Sequence, residues 1–190
     1  MAKQRFTLVL VLLMALALLA GCSSQEDAPD PQPQGGASAM EQIWRIEDPN
    51  ELIIALSDHV AEKCQYGGNM AALSAAERTF YITQSLEMEV NNGGFSQFFY
   101  NAGGDFSGEV AAAFNAIGAD KTAAICQQAI AAFGQELPAD RETRLAMLAA
   151  CESDALDAVL EACDNAFYEY QDDLTTLNYT YVLKHKASFT

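Results

Sequence analysis

Glu89, Asn91, Asn92, Gln97 and Asn101 form the densest group of hydrogen-bonding side chains in this chain, and they crowd around two adjacent glycines, Gly93 and Gly94. A carboxylate among four amides can hold a polar ligand, or it can bond backbone groups that a broken helix sets free. The glycine pair supplies such a break, because glycine accepts positive φ and opposes helix propagation. Phe95, Phe98 and Phe99 follow at helical spacing and bring a large apolar mass. The helical angle of Glu89 falls near Ile82 and Leu86, so its carboxylate is expected to be partly buried and to need partners. Two readings follow. One is a small polar pocket near Glu89, Asn92 and Gln97, serving an enzyme or a small-ligand binder. The other is a polar bracket that fixes the angle between two helical segments. The bracket is preferred; Glu87 and Glu89 make no acid–base pair by themselves, since two residues apart on a helix means nearly opposite faces.

Other chemistry is sparse. The two histidines, His59 and His185, are far apart in sequence. With Cys64, Cys126 and Cys151 they match no zinc spacing, and there is no phosphate-binding loop or nucleophile elbow. No catalytic residue, metal or cofactor is expected. Cys64, Cys126, Cys151 and Cys163 permit disulfides in an exported protein. Three of them, Cys64, Cys126 and Cys163, fall on apolar helix faces, where free cysteine is a common core residue. Four free thiols are the expected state. A bridge, if made, would join different helices, Cys64 with Cys126 or Cys126 with Cys163. Cys151 and Cys163 are not expected to pair, because Cys163 lies well into the next helix.

Cys22 stands apart from the other cysteines. Lys3 and Arg5 precede an apolar run from Leu8 to Ala20, the pattern of a secretory signal. The run is short of the ~20 apolar residues a spanning helix needs. Leu19-Ala20-Gly21-Cys22 resembles the lipobox of bacterial lipoproteins, which implies a diacylglycerol on the Cys22 thiol and removal of residues 1–21. The expected location is outside the cytoplasmic membrane, anchored through that lipid. Ser23 and Ser24 lack an aspartate retention signal, which favours the outer membrane if there are two. Residues 22–40, rich in Ser, Gln, Pro, Gly and Asp, read as a disordered tether. One domain is expected from 41 to 190.

Acids outnumber bases 26 to 10, and loss of the signal with Lys3 and Arg5 sharpens the imbalance. No lysine or arginine occurs between Arg144 and Lys184. Direct binding of nucleic acid is thereby excluded as the natural reading, because it requires cations against phosphates. An acidic surface suits a basic protein partner, or only water.

These side chains must be placed by helices, and the sequence punctuates them clearly. Asp48-Pro49-Asn50-Glu51 carries a cap, a proline suited to the first helical position and a capping-box glutamate, for a helix to about Gln65. Ser74 to Glu77 is a second capping box, for a helix to about Asn91. A third helix is expected over Asp105 to Ile117, stopped by Gly118, and a fourth from an Asp120 cap to Phe133. A fifth starts at Pro138 and Asp140 and runs to about Cys151, with a break near Glu152-Ser153. The sixth, from Asp154 to Asp173, places Leu160, Cys163 and Phe167 on one face. It places Asp154, Asp157, Glu161, Asp164 and Asp172 on another, a candidate acidic interaction face. The tail from Leu174 reads as a last helix. The fold class is therefore all-α, a single compact domain of about six to seven helices.

Glu89-Val90-Asn91-Asn92-Gly93-Gly94-Phe95-Ser96-Gln97-Phe98-Phe99-Tyr100-Asn101 resembles the signature of the bacterial DNA-mimic protein C-terminal domain family. Phe114-Asn115-Ala116-Ile117-Gly118-Ala119 resembles its second recurring segment. The resemblance covers roughly Glu51 to Tyr181. It implies an all-α fold, no established enzymatic activity and, in the name-giving member, an acidic surface that imitates DNA phosphates for a DNA-binding regulator. No functional residue carries over from it. The lipobox is a departure from that pattern, since an exported protein does not meet a cytoplasmic regulator.

Overall fold

Serine or aspartate side chains start six of the eight helices among the described residues, each accepting a hydrogen bond from the first turn. The computed structural model describes residues 37–190, and the signal, Cys22 and the tether to Gly36 lie outside the described residues. The helices are α1 (Ala39–Ile43), α2 (Pro49–Lys63), α3 (Ala75–Tyr100), α4 (Val110–Ile117), α5 (Asp120–Ala131), α6 (Arg141–Cys151), α7 (Asp154–Tyr168) and α8 (Leu174–Lys184), with no strand among the described residues. The class is all-α.

The boxes form where the sequence places them. At α3 both halves are made, Glu77 N–H to Ser74 Oγ at 3.1 Å and Ser74 N–H to the Glu77 carboxylate at 2.8 Å. At α2 Asp48 accepts from Glu51 N–H at 2.9 Å. The helix ends at Lys63, two residues early, because Gln65 and Tyr66 turn into the left-handed region. α1 takes in Ala39 and Met40, which the sequence reading left in the tether.

Four further boundaries differ from expectation, two of them because a distant residue intervenes. Helix three does not begin at Asp105; a 3-10 turn fills Ala102–Phe106, and α4 opens at Val110. Asp105 is taken by Arg144 at 2.6 Å, so it starts no helix. Asp120 is not the cap of α5 but its first residue, after Ala119. The capping is done from outside by Asp172, which accepts from Thr122 N–H at 2.8 Å and Thr122 Oγ1 at 3.1 Å. The sixth helix stops at Tyr168, five residues short, because Tyr170 adopts φ 46°. α3 continues past Asn91 to Tyr100 across the glycine break. The break between α6 and α7 falls at Glu152-Ser153, as expected, and the tail from Leu174 forms the expected last helix, α8.

α3 is the spine of the domain. Its early residues Ala76 and Phe80 pack with Leu52, Leu56 and Val60 of α2, Val182 of α8 and Phe189. From Ile82 onward it packs against α4 and α7, on which α5 in turn packs, with Phe95, Phe98, Phe99, Phe114, Cys126 and Phe167 in one core. Burying such aromatic side chains is worth roughly 1.5–3 kcal/mol each. Cys64, Cys126, Cys151 and Cys163 are free thiols. Burial pushes the Cys126 and Cys163 thiols up from their ordinary range.

Candidate functional site

The glycine break is real and its geometry is specific. Gly93 has φ −166° and ψ 26°, and Gly94 has φ 75° and ψ −178°. Gly94 thus occupies a conformation that side chains oppose. A Cβ there would also run into the Asp164 carboxylate. A continuous helix would bond the Gly94 N–H to the Val90 carbonyl and the Phe95 N–H one residue further on. The Val90 carbonyl and the Phe95 N–H are met from α7 instead. Tyr168 donates its hydroxyl to the Val90 carbonyl at 2.8 Å, and Asp164 accepts from Phe95 N–H at 2.7 Å. The two side chains lie four residues apart, on one face of α7.

Across the break, Glu89 holds the two segments together. One of its oxygens accepts from Gln97 Nε2 at 2.6 Å and from Asn101 Nδ2 at 2.9 Å. Asn91 joins a neighbouring set: it donates to the Tyr170 hydroxyl at 2.6 Å, and that hydroxyl donates to Glu87 at 3.1 Å. Burial pushes the Glu87 carboxyl above its ordinary range, against the hydrogen bonds from Tyr170 and Gln84. Asn92 is exposed and stands outside both sets. The five polar residues therefore do not converge on one point. Glu89, Gln97 and Asn101 are brought together, Asn91 faces the chain after α7, and none of the four principal grooves is lined by Glu89, Asn92 or Gln97. What the arrangement does is fix an angle.

The acidic face is smaller than the sequence suggests. Asp154, Asp157 and Glu161 are exposed along α7. Asp164 is turned inward onto Phe95; burial raises its carboxyl above the usual range, against the Phe95 N–H, and nearby Glu161 adds to the rise. Asp172 lies beyond the end of α7 and is spent on Thr122. Both leave the face for the same reason: an unpaired helix terminus nearby attracts a carboxylate. The remaining row spans ~10 Å at 1.5 Å per residue, and Asp157 borders an apolar groove of about 390 Å³ floored by Phe99, Phe133 and Leu160.

Sequence reasoning missed Arg144. It is the largest fully buried side chain, and it bonds the carbonyls of Phe99, Pro138, Ala139 and Asn101 as well as Asp105. Its planar fork satisfies several freed carbonyls at once, which a lysine could not. The Cα of Gly104 lies so close that a Cβ would reach 2.7 Å from Arg144 Nε. The only signal in the sequence was its position as the last cation before a long stretch without any.

Among the described residues no three His, Cys, Asp or Glu side chains converge as a metal site would require, and no helix is long and apolar enough to cross a membrane. His59 meets the main-chain oxygen of Thr190 at 3.3 Å. A family model described as DMP19-like protein matches residues 71–185, more than half of the chain. That span contains the glycine break, α7 and Arg144, and it leaves α2 outside. No curated protein and no solved structure matches the chain.

Proposed function

The chain belongs to the DMP19-like protein family, and from that premise we propose that it is a lipid-anchored extracytoplasmic protein whose acidic helical domain binds a basic protein surface, without enzymatic activity. The observation that carries this reading is the row of Asp154, Asp157 and Glu161, exposed on α7 in a stretch without a single lysine or arginine. Carboxylates held at fixed spacing on a rigid helix suit a partner that presents its own cations at fixed spacing. A family named for a DNA mimic makes that partner chemistry natural. The export signal supports a different compartment, so the partner is sought outside the cytoplasmic membrane. Cys22 would be the anchor, with the outer membrane favoured if there are two.

A binding role rather than catalysis is supported by how the glycine-break side chains are used. Gln97 and Asn101 both donate to Glu89, and Asp164 and Tyr168 bond backbone. None is left to act on a substrate.

The test is a pull-down from the native envelope with the intact protein, at low and high salt. We expect a partner retained at low salt and lost at high salt, and lost again when Asp154→Asn, Asp157→Asn and Glu161→Gln are combined. All three are exposed, so the variant keeps its fold. A partner indifferent to both treatments overturns the proposal. Cys22→Ser is expected to release the protein from the membrane fraction; a variant that stays there refutes the lipid anchor.

A further inference from the structure

α2 and α3 enclose a groove of about 360 Å³ whose walls follow helical spacing. Ile54, Ser57, Asp58 and Ala61 make one face of α2, and Tyr81, Gln84, Ser85, Met88 and Asn91 make the facing side of α3. Small side chains at Ser57, Ala61 and Ser85 let another backbone approach closely. The rim is apolar and exposed. Ile54 is 55% exposed, Met88 64% and Tyr66 69%, so three of the seven exposed large hydrophobic residues among the described residues border one groove. Contiguous exposed apolar surface of this kind marks interaction sites.

Tyr66 is held there at a cost. Gln65 and Tyr66 have φ 53° and 54°, both in the left-handed region that non-glycine residues avoid. The turn is secured by Tyr66 N–H to the Ala61 carbonyl at 2.7 Å and Asn69 N–H to the Cys64 carbonyl at 2.8 Å. The strain places a large aromatic ring at the mouth of the groove, where it contacts solvent. Strain retained at an exposed aromatic is a pointer to binding.

We propose that this groove docks an amphipathic helix of a partner protein, apolar on one face and flanked by lysine or arginine. The α3 wall from Tyr81 to Asn91 is ~15 Å long at 1.5 Å per residue, room for about three turns of helix. A helix is the form that fits, because both walls are helices with their backbone groups already bonded, and an occupant must satisfy its own. Charge selects the flanks. The lining holds two carboxylates, Asp58 on α2 and Glu87 on α3, and no cation. A second copy of this acidic chain would bring like charge to like, and an anionic lipid surface would do the same. This site is independent of the α7 row, and its α2 wall and Tyr66 lie outside the residues that match the family.

The test uses a fluorescein-labelled 15-residue helix of leucine and lysine in amphipathic register, and its leucine–glutamate counterpart. Binding is read by anisotropy to the intact protein in nanodiscs of neutral lipid, with empty discs as blank. We expect the lysine peptide to bind and the glutamate peptide to fail. Ile54→Ser with Met88→Ser should weaken binding at least tenfold, while the fold is kept because both side chains are more than half exposed. The combined Asp154, Asp157 and Glu161 variant should bind as the wild type does. No binding by the lysine peptide, equal binding by the glutamate peptide, or full affinity in the Ile54/Met88 variant overturns the proposal. Loss only in the α7 variant assigns the peptide to the acidic row, and so overturns it too.

Discussion

Glu77 serves three partners with two oxygens. One oxygen closes the capping box on Ser74, and the other accepts from Lys63 at 2.7 Å and from Thr190 N–H at 3.1 Å. It is 1% exposed, and burial alone would push its carboxyl up. The Lys63 ammonium and the two backbone N–H groups outweigh burial and hold it below the ordinary value of 4.5. A carboxyl depressed in the folded state stabilises the fold fully above its unfolded value and loses that contribution as pH falls through the folded one. Urea midpoints measured from neutral pH into acid should therefore fall for the wild type, and fall less for Glu77→Gln. The glutamine variant should also be less stable at neutral pH, by about 3–5 kcal/mol, since Lys63 loses its buried partner; the Lys63 side chain is 22% exposed, which pulls the figure toward the lower end. A variant as stable as wild type at neutral pH would contradict the assignment.

At the scale of the helices, the sequence told most where a helix is closed by its own neighbours. Asp48, Ser74, Asp140 and Ser153 cap within three residues, and Gly118 ends α4 with φ 88°, all legible from local chemistry. The glycine break and the bracket role of Glu89 were also legible, because glycine and a polar residue on an apolar stripe each announce a local conflict. What stayed hidden were caps borrowed across the fold. Asp172 lies 50 residues from Thr122, and Asp164 lies 69 from Phe95. Spacing along a helix assigned both to an outward face, since periodicity records only which way a side chain leaves its own helix. It is blind to the terminus waiting there. The α5 cap gives a direct check: Asp172→Ala should cost ~1 kcal/mol, within the usual 0.5–2 for a lost cap. Hydrogen exchange should then quicken in the first turn of α5 and not in α3. Unchanged protection at Thr122 would show that the cap is idle.

For the whole molecule, the charge imbalance sets how the fold responds to its medium. With 26 acidic and 10 basic residues and only three ion pairs among the described residues, most carboxylates face one another through water. Mutual repulsion of that kind weakens the compact state and is screened over ~10 Å at 0.1 M salt. Thermal midpoints should rise by a few degrees as sodium chloride goes from ~10 to ~150 mM, since ~1 kcal/mol moves a domain of this size by roughly 2–4 °C. A midpoint that falls over the same range would mean that attractive pairs dominate instead.

One stripe of α7 faces solvent in its N-terminal half and meets the joint of α3 in its C-terminal half. Asp157 and Glu161 are exposed on that stripe, and one to two turns further along Asp164 bonds the Phe95 N–H and the Tyr168 hydroxyl bonds the Val90 carbonyl. One residue along a helix is a turn of ~100°. A roll of that size would withdraw Asp164 from Phe95, free the Val90 carbonyl and carry Glu161 out of line. α7 is thus keyed like a latch bolt: the joint is shut in the one orientation that also aims the carboxylates at the outside, so whatever grips that row grips the hinge pin of the fold.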